Sequence, residues 1–272
     1  MSSKSELIIP KIKKETILSL LRKDKRIDDR GLDDYREIEI TTNLIGKANG
    51  SAIVKLGDTT VITGVKVQLD RPFPDTPEKG IQIVNAELIP LASPIFEPGP
   101  PGEEDVELSR VIDRGLRSSE MIKLDELVLI PGEKVWAVFV DIYALDHGGN
   151  LIDASALASV AALLTTQYNK VEVENDNIIV TDEKINLPIG NIPVFVTIAK
   201  IGDKLIVDPS YEEELVMDAR ITFVIDENES ITGIQKGNPG VFTYGEIMEA
   251  KNIAIRVSKK LREKLASITK DL

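Results

Sequence analysis

A helix with almost no polar face constrains this chain more than any other feature. Residues 151–166 include Ala154, Ala156, Leu157, Ala158, Val160, Ala161, Leu163 and Leu164. A helix that is apolar all round belongs in a core, and its small side chains predict close packing by its neighbours. Residues 134–143 precede it, and their near-continuous apolarity predicts a strand buried on both faces. The turn His147-Gly148-Gly149-Asn150 leads from that strand region into the helix.

The rest of the chain supplies the layers around this helix. Ile38 and Ile40 alternate with Glu37 and Glu39, as in a half-buried strand. Asn49-Gly50 is a hairpin signal before Ala52-Ile53-Val54. Gly57-Asp58 marks a second turn, before a strand over residues 60–67. Another strand spans 81–91, and Pro72, Pro74 and Pro77 make the intervening segment a loop. The polar stretch 172–184 marks a boundary. A second β series then covers residues 194–199, 204–207, 221–225 and 230–235. A final helix from about Tyr244 carries Ile247, Ala250, Ala254, Val257, Leu261 and Leu265 on one side. Sheet followed by helix, twice over, predicts an α+β chain in two related layers. The expected division is an N-terminal arm and helix over 1–25, a first domain over 26–190 and a smaller C-terminal domain over 191–272.

Composition narrows the chemistry. The 272 residues include no cysteine, which excludes disulfides and thiolate zinc sites, and only one histidine, His147, which excludes a histidine metal cluster. No apolar run approaches the ~20 residues that span a bilayer. The N-terminal lysines alternate with glutamates and isolated aliphatics rather than flanking a signal sequence. A cytoplasmic protein without membrane attachment is expected. The net charge of −12 gives no general affinity for polyanions.

Against that background, Arg110, Arg114 and Arg117 stand out. They follow Glu97-Pro98-Gly99-Pro100-Pro101-Gly102 and an acidic helix start, Glu103-Glu104-Asp105. At about 100° per residue they fall within roughly 60° of one another, while Leu108, Val111, Ile112 and Leu116 project toward a core. From the residues alone two readings stay open. Glu107 and Asp113 stand at helical ion-pair spacing and would make a solvated charged face. Otherwise the stripe is a local anion site.

Arg26-x-Asp28-x-Arg30 with Arg36, Asn49-Gly50-Ser51-Ala52 with Gly57-Asp58-Thr59, and the turn and helix from Asp146 to Ala161 together resemble the RNase PH family of phosphorolytic exoribonucleases. The resemblance covers roughly residues 26–265. The Glu97-to-Pro101 run with the arginine helix is similar to the non-catalytic RNase PH-like subunit of the archaeal exosome. That resemblance implies a ribosomal protein S5 domain 2-like RNase PH domain followed by a smaller RNase PH C-terminal domain. It implies a six-membered ring, three copies alternating with three of a homologous catalytic subunit, topped by RNA-binding cap proteins. Single-stranded RNA is then degraded from its 3′ end by orthophosphate. No cofactor is implied, because orthophosphate is a substrate that binds the partner subunit.

The resemblance also marks departures. Active members end the turn before the alanine-rich helix in Gly-Ser-Arg, which holds phosphate. Here Gly149 stands in the Ser position and Asn150 in the Arg position. Active members carry two aspartates six positions apart. Here Glu214 aligns with the first and Asp218 with the second, four apart. Read as plain sequence, Glu212-Glu213-Glu214 is a solvated acidic turn. No catalytic residue is therefore expected, and Arg110, Arg114 and Arg117 are expected to bind RNA. Arg26, Arg30 and Arg36 are read as structural or intersubunit ion pairs. Asp29 replaces a usual glycine, which predicts altered turn geometry. The alternatives are a self-sufficient phosphorolytic exoribonuclease and a purely structural ring scaffold.

Overall fold

A computed structural model describes residues 8–174 and 177–269. The first seven residues of the expected N-terminal arm lie outside the described residues. Helix α1 (Ile8–Leu21) follows, and its Ile17 and Leu21 pack on Ala199, Ile201, Ile206 and Val216.

The first sheet contains β1 (Ile38–Thr42), β2 (Gly50–Leu56), β3 (Thr59–Asp70), β4 (Ile81–Leu88), β5 (Val128–Ile130) and β6 (Lys134–Asp146). The order is β1-β2-β3-β6-β4, with β5 on β6. Every pairing is antiparallel except β4 with β6. That parallel pair needs a crossover, and helix α2 (Glu103–Ser118) lies within it. Strand β6 is buried on both faces only over its first half. From Phe139 on it alternates, and Tyr143 is exposed.

Helix α3 (Leu151–Leu164) is the core helix the composition requires, with every residue from Ile152 to Leu163 buried. Strands β2 and β3 pack against it, as does the second sheet through β9. The alanines let these backbones approach closely. A β-carbon on Gly50 would stand 2.4 Å from the Ala162 carbonyl oxygen and 2.3 Å from Thr166 Oγ1. This corrects the reading of Asn49-Gly50 as a tight hairpin turn. Gly50 lies inside β2, opposite Val65, and glycine stands there because α3 leaves no room for a side chain. Asn49 tethers the segment by donating to the Gln167 carbonyl and accepting from the Val67 N–H.

The described residues of the polar stretch, 172–174 and 177–184, lie in strands. They belong to an antiparallel hairpin, β7 (Gln167–Glu174) and β8 (Asn177–Asn186). The second sheet comprises β9 (Val194–Ile201), β10 (Lys204–Val207), β11 (Ala219–Ile225) and β12 (Ile231–Gly237), ordered β10-β9-β11-β12 and antiparallel throughout. The short helix α4 (Tyr211–Glu214) leads into β11. Helix α5 (Tyr244–Thr269) packs on β9 and β11 and buries Ala250, Ile253, Ala254, Val257, Leu261 and Leu265. The fold is thus α+β, an S5 domain 2-like unit followed by a smaller α+β unit, with α3 between their sheets.

Candidate functional site

Helix α2 buries Leu108, Val111, Ile112, Gly115 and Leu116 and turns its three arginines outward. Gly102 caps it, and Asp105 reaches back to accept the Gly102 N–H at 2.9 Å. The other Asp105 oxygen accepts the Leu88 N–H at 2.6 Å, which ties the helix start to the end of β4. Arg110, Arg114, Arg117, Asp113 and Ser118 line a shallow hollow of about 530 Å³.

The three arginines are not equivalent. Arg110 is exposed and has no hydrogen-bond or ion-pair partner among the described residues. Arg114 is also exposed, with a single long contact to Gln235 Oε1 on β12 at 3.3 Å. Arg117 is engaged. Its Nε donates to both Asp113 oxygens, at 3.0 and 2.9 Å, and its Nη2 donates to the Gln82 carbonyl. The ion-pair reading applies to Arg117, whose charge Asp113 matches; Glu107 pairs with Arg220 instead, and Arg110 and Arg114 carry no ion pair among the described residues.

A second constellation surrounds the turn before α3. Its hub is Asp208, fully buried at the end of β10 with φ +50°. Arg36 forks onto Asp208 through Nε and Nη2, at 2.9 and 2.7 Å, and donates to the Gly148 and Gly149 carbonyls at 2.7 and 3.0 Å. Arg30 Nη1 reaches Asp208 at 3.0 Å. Asn150, in left-handed conformation, spends its amide on Asp208 at 2.8 Å and on Asp153 at 2.9 Å. Arg26 has no exposed side-chain surface and pairs with buried Glu213 through two hydrogen bonds, at 2.9 and 2.5 Å. Arg26, Arg30 and Arg36 are thus intrachain fasteners between the first unit and the segment after β10. Asp29 adopts φ +60°, a left-handed conformation that glycine takes without strain.

The acidic triplet is not a solvated turn. Glu213 is buried, and Glu214 Oε1 accepts the backbone N–H of Asn150 at 2.9 Å. Three arginines converge here, and a buried guanidinium needs carboxylates beside it. Those arginines bond Asp208 and Glu213, whereas Glu214 sits at the N-terminus of α3 on the Asn150 N–H. Asp218 is elsewhere, bonded to Lys14 and to the Gly202 N–H at 2.7 Å each. The two candidate acid positions are not brought together.

Burial governs the electrostatics. It raises Glu214 to about 7 against the opposing pull of the Asn150 N–H, Arg220 and Arg36. It raises Asp153 to about 6, although Tyr35, Asn150 and Thr197 all donate to it. His147 stacks on Phe96 and meets Tyr211 edge-on, and burial followed by the Arg36 charge lowers its pKa. The charged imidazolium is thus disfavoured, and the 4.0 Å approach to Glu214 is too long for a hydrogen bond. Asp208 and Glu213 were not singled out from the sequence. The available signal was three closely spaced arginines that had to find partners.

Residues 34–169 match domain 1 of the 3′ exoribonuclease family (RNase PH), and residues 191–257 match its domain 2. The chain belongs to that family. It is 48% identical to exosome complex component Rrp42 of Thermococcus kodakarensis, over 95% of this chain and 96% of that one. It is 49% identical to Rrp42 of Archaeoglobus fulgidus, over 97% and 99%. A chain in a solved Archaeoglobus fulgidus exosome with RNA bound to the active site superposes with a TM-score of 0.87, at 48% identity over 94% of this chain and 99% of that one. Among the described residues no helix is long and apolar enough to cross a membrane.

Proposed function

We propose that this chain is the non-catalytic RNase PH-like subunit of an archaeal exosome ring, working in the cytoplasm. It alternates with a homologous catalytic subunit in a trimer of heterodimers that carries RNA-binding cap proteins. Single-stranded RNA passes its arginine helix and is phosphorolysed from the 3′ end at the partner's site. Orthophosphate is consumed there, and no cofactor takes part.

One observation carries the non-catalytic reading: Glu214 occupies the Asn150 N–H at the start of α3. An attacking phosphate needs that N-terminus and a guanidinium beside it. Here a carboxylate fills the first place. Asn150 stands in the second and is already bound to Asp208 and Asp153. Arg110 and Arg114 support the RNA role, because their charges are exposed on a chain that otherwise repels polyanions. Phosphate contacts of this kind bind without regard to sequence and weaken with salt.

The test is phosphate-dependent shortening of a labelled oligoadenylate. The purified chain alone is expected to leave it intact. Addition of the chain to its catalytic homologue is expected to raise the homologue's activity. Release of nucleoside diphosphates by the lone chain would establish the self-sufficient enzyme instead. A ring whose RNA affinity ignores the loss of both Arg110 and Arg114 would establish the scaffold.

A further inference from the structure

We propose that Arg117 is a positioning residue and not a phosphate contact: with Asp113 and Gln82 it clamps α2 to β4 so that Arg110 and Arg114 present their charges in register. This rests on the RNA-binding reading of the same helix.

Gln82 is buried on β4, the edge strand of the first sheet. Its Nε2 donates to Asp113 Oδ1 at 2.9 Å. The same Asp113 carboxylate takes Arg117 Nε on both oxygens, and Arg117 Nη2 returns to the Gln82 carbonyl. The loop of contacts is closed: helix to strand through Asp113, strand to helix through Arg117. An isolated i, i+4 ion pair stabilises by a few tenths of a kcal/mol. This one differs because both members also bond to a residue that water does not reach.

The clamp has a counterpart at the other end of the helix, where Asp105 holds the Leu88 N–H. Both anchors land on β4, at Leu88 and Gln82. Six strand residues cover about 20 Å, and the twelve helical steps from Asp105 to Arg117 cover about 18 Å. The helix is thus pinned to one strand near both ends. Arg110 and Arg114 lie between the pins and have no such fixture.

The experiment uses two readouts. Amide hydrogen exchange on the full chain without RNA reports how firmly α2 is held. Affinity of rings reassembled with the catalytic homologue for a fluorescein-labelled oligoadenylate, measured over a salt series, reports phosphate contacts. The variants are Arg117→Lys, Arg117→Gln, Asp113→Asn, Arg110→Gln and Arg114→Gln. Lysine keeps the charge but loses the fork that spans Asp113 and the Gln82 carbonyl. A clamp therefore predicts that Arg117→Lys and Asp113→Asn speed exchange in the last turns of α2. Both should weaken RNA binding about five- to tenfold, and Arg117→Lys should be as harmful as Arg117→Gln. Arg110→Gln and Arg114→Gln should leave exchange unchanged and lower the salt slope by about 0.7 each. Parental affinity and slope in Arg117→Lys would overturn the proposal. So would tighter binding with a steeper slope in Asp113→Asn, which would mean that Asp113 competes with RNA for Arg117. Parental binding by the Arg110 and Arg114 variants would sink the RNA-binding reading, and with it any purpose for the clamp. That failure is visible separately, because it concerns different residues.

Discussion

The ring of Phe195 on β9 sits beneath Gly115 of α2, so close that a β-carbon on Gly115 would lie 2.1 Å from Cζ. The second sheet thus bears directly on the helix that displays the arginines. Gly115→Ala gains up to about 1 kcal/mol of helix propensity. It also forces the ring or the helix to move, which typically costs about 1–3 kcal/mol. Net destabilisation is expected, read as a lower denaturant midpoint at unchanged slope. In reassembled rings, RNA affinity should fall although no arginine has been touched.

The buried Arg26–Glu213 pair predicts an asymmetry. Arg26→Met leaves Glu213 with only the distant cation of Arg30, at 4.0 Å, and removes the donors at 2.7 and 2.8 Å from the Val207 and Asp208 carbonyls, the second of which keeps Arg30 at 3.2 Å. Breaking such a pair costs about 3–5 kcal/mol. Arg256–Asp33, on the exposed surface, is worth below about 1 kcal/mol. Equilibrium unfolding of Arg26→Met and Arg256→Met should show this separation. Equal losses would refute the fastening role of Arg26.

Reversion of the turn is expected to fail. Gly149 has φ +98°, and a β-carbon there would lie 2.5 Å from Ser210 C and Tyr211 N. Asn150 is buried in left-handed conformation, which costs a side chain such as arginine roughly 1–2 kcal/mol. The double variant Gly149→Ser, Asn150→Arg restores the residue types of active relatives. It should nevertheless lower the melting temperature and show no phosphate-dependent trimming, with Glu214 still at the helix start.

Glu214 and Asp153 set the pH dependence. Each is raised in the folded state, to about 7 and about 6. The stability they contribute is complete below the unfolded carboxylate pKa, near 4, and is lost as pH rises through the folded values. For Glu214 the loss between pH 4.5 and pH 8 is at most about 3 kcal/mol. It is reduced because water still reaches 17% of the side chain. Glu214→Gln keeps an acceptor for the Asn150 N–H and removes the charge. Its stability relative to the parent should therefore rise between pH 4.5 and pH 8, measured by urea unfolding at both. A constant difference would show that Glu214 ionises normally.

Most elements follow from local pattern. The alternation of β1, the turn at Gly57-Asp58, the start of α2 and the buried side of α5 are each set by residues close in sequence. The hairpin over 167–186 escaped because its polar and aliphatic residues sit on two strands with little core beneath them, and Val173, Ile179 and Val180 are exposed. Asn49-Gly50 gave a false turn because the same pair also suits a strand pressed against a helix backbone.

What the sequence by itself determined is the inventory: an apolar core helix, two β series, an arginine stripe facing away from Leu108, Val111, Ile112 and Leu116, and a turn lacking serine and arginine. Periodicity and composition are local properties, so a single chain displays them. Which charges remain available was decided only by tertiary structure. Asp113, Arg117 and Gln82 meet across 35 residues of sequence, and Asp208 meets Arg36 across 172. Ion pairing and burial depend on distances that the fold creates, so Glu214, read as a solvated acid, became a half-buried carboxyl group bonded to the Asn150 N–H at the start of α3.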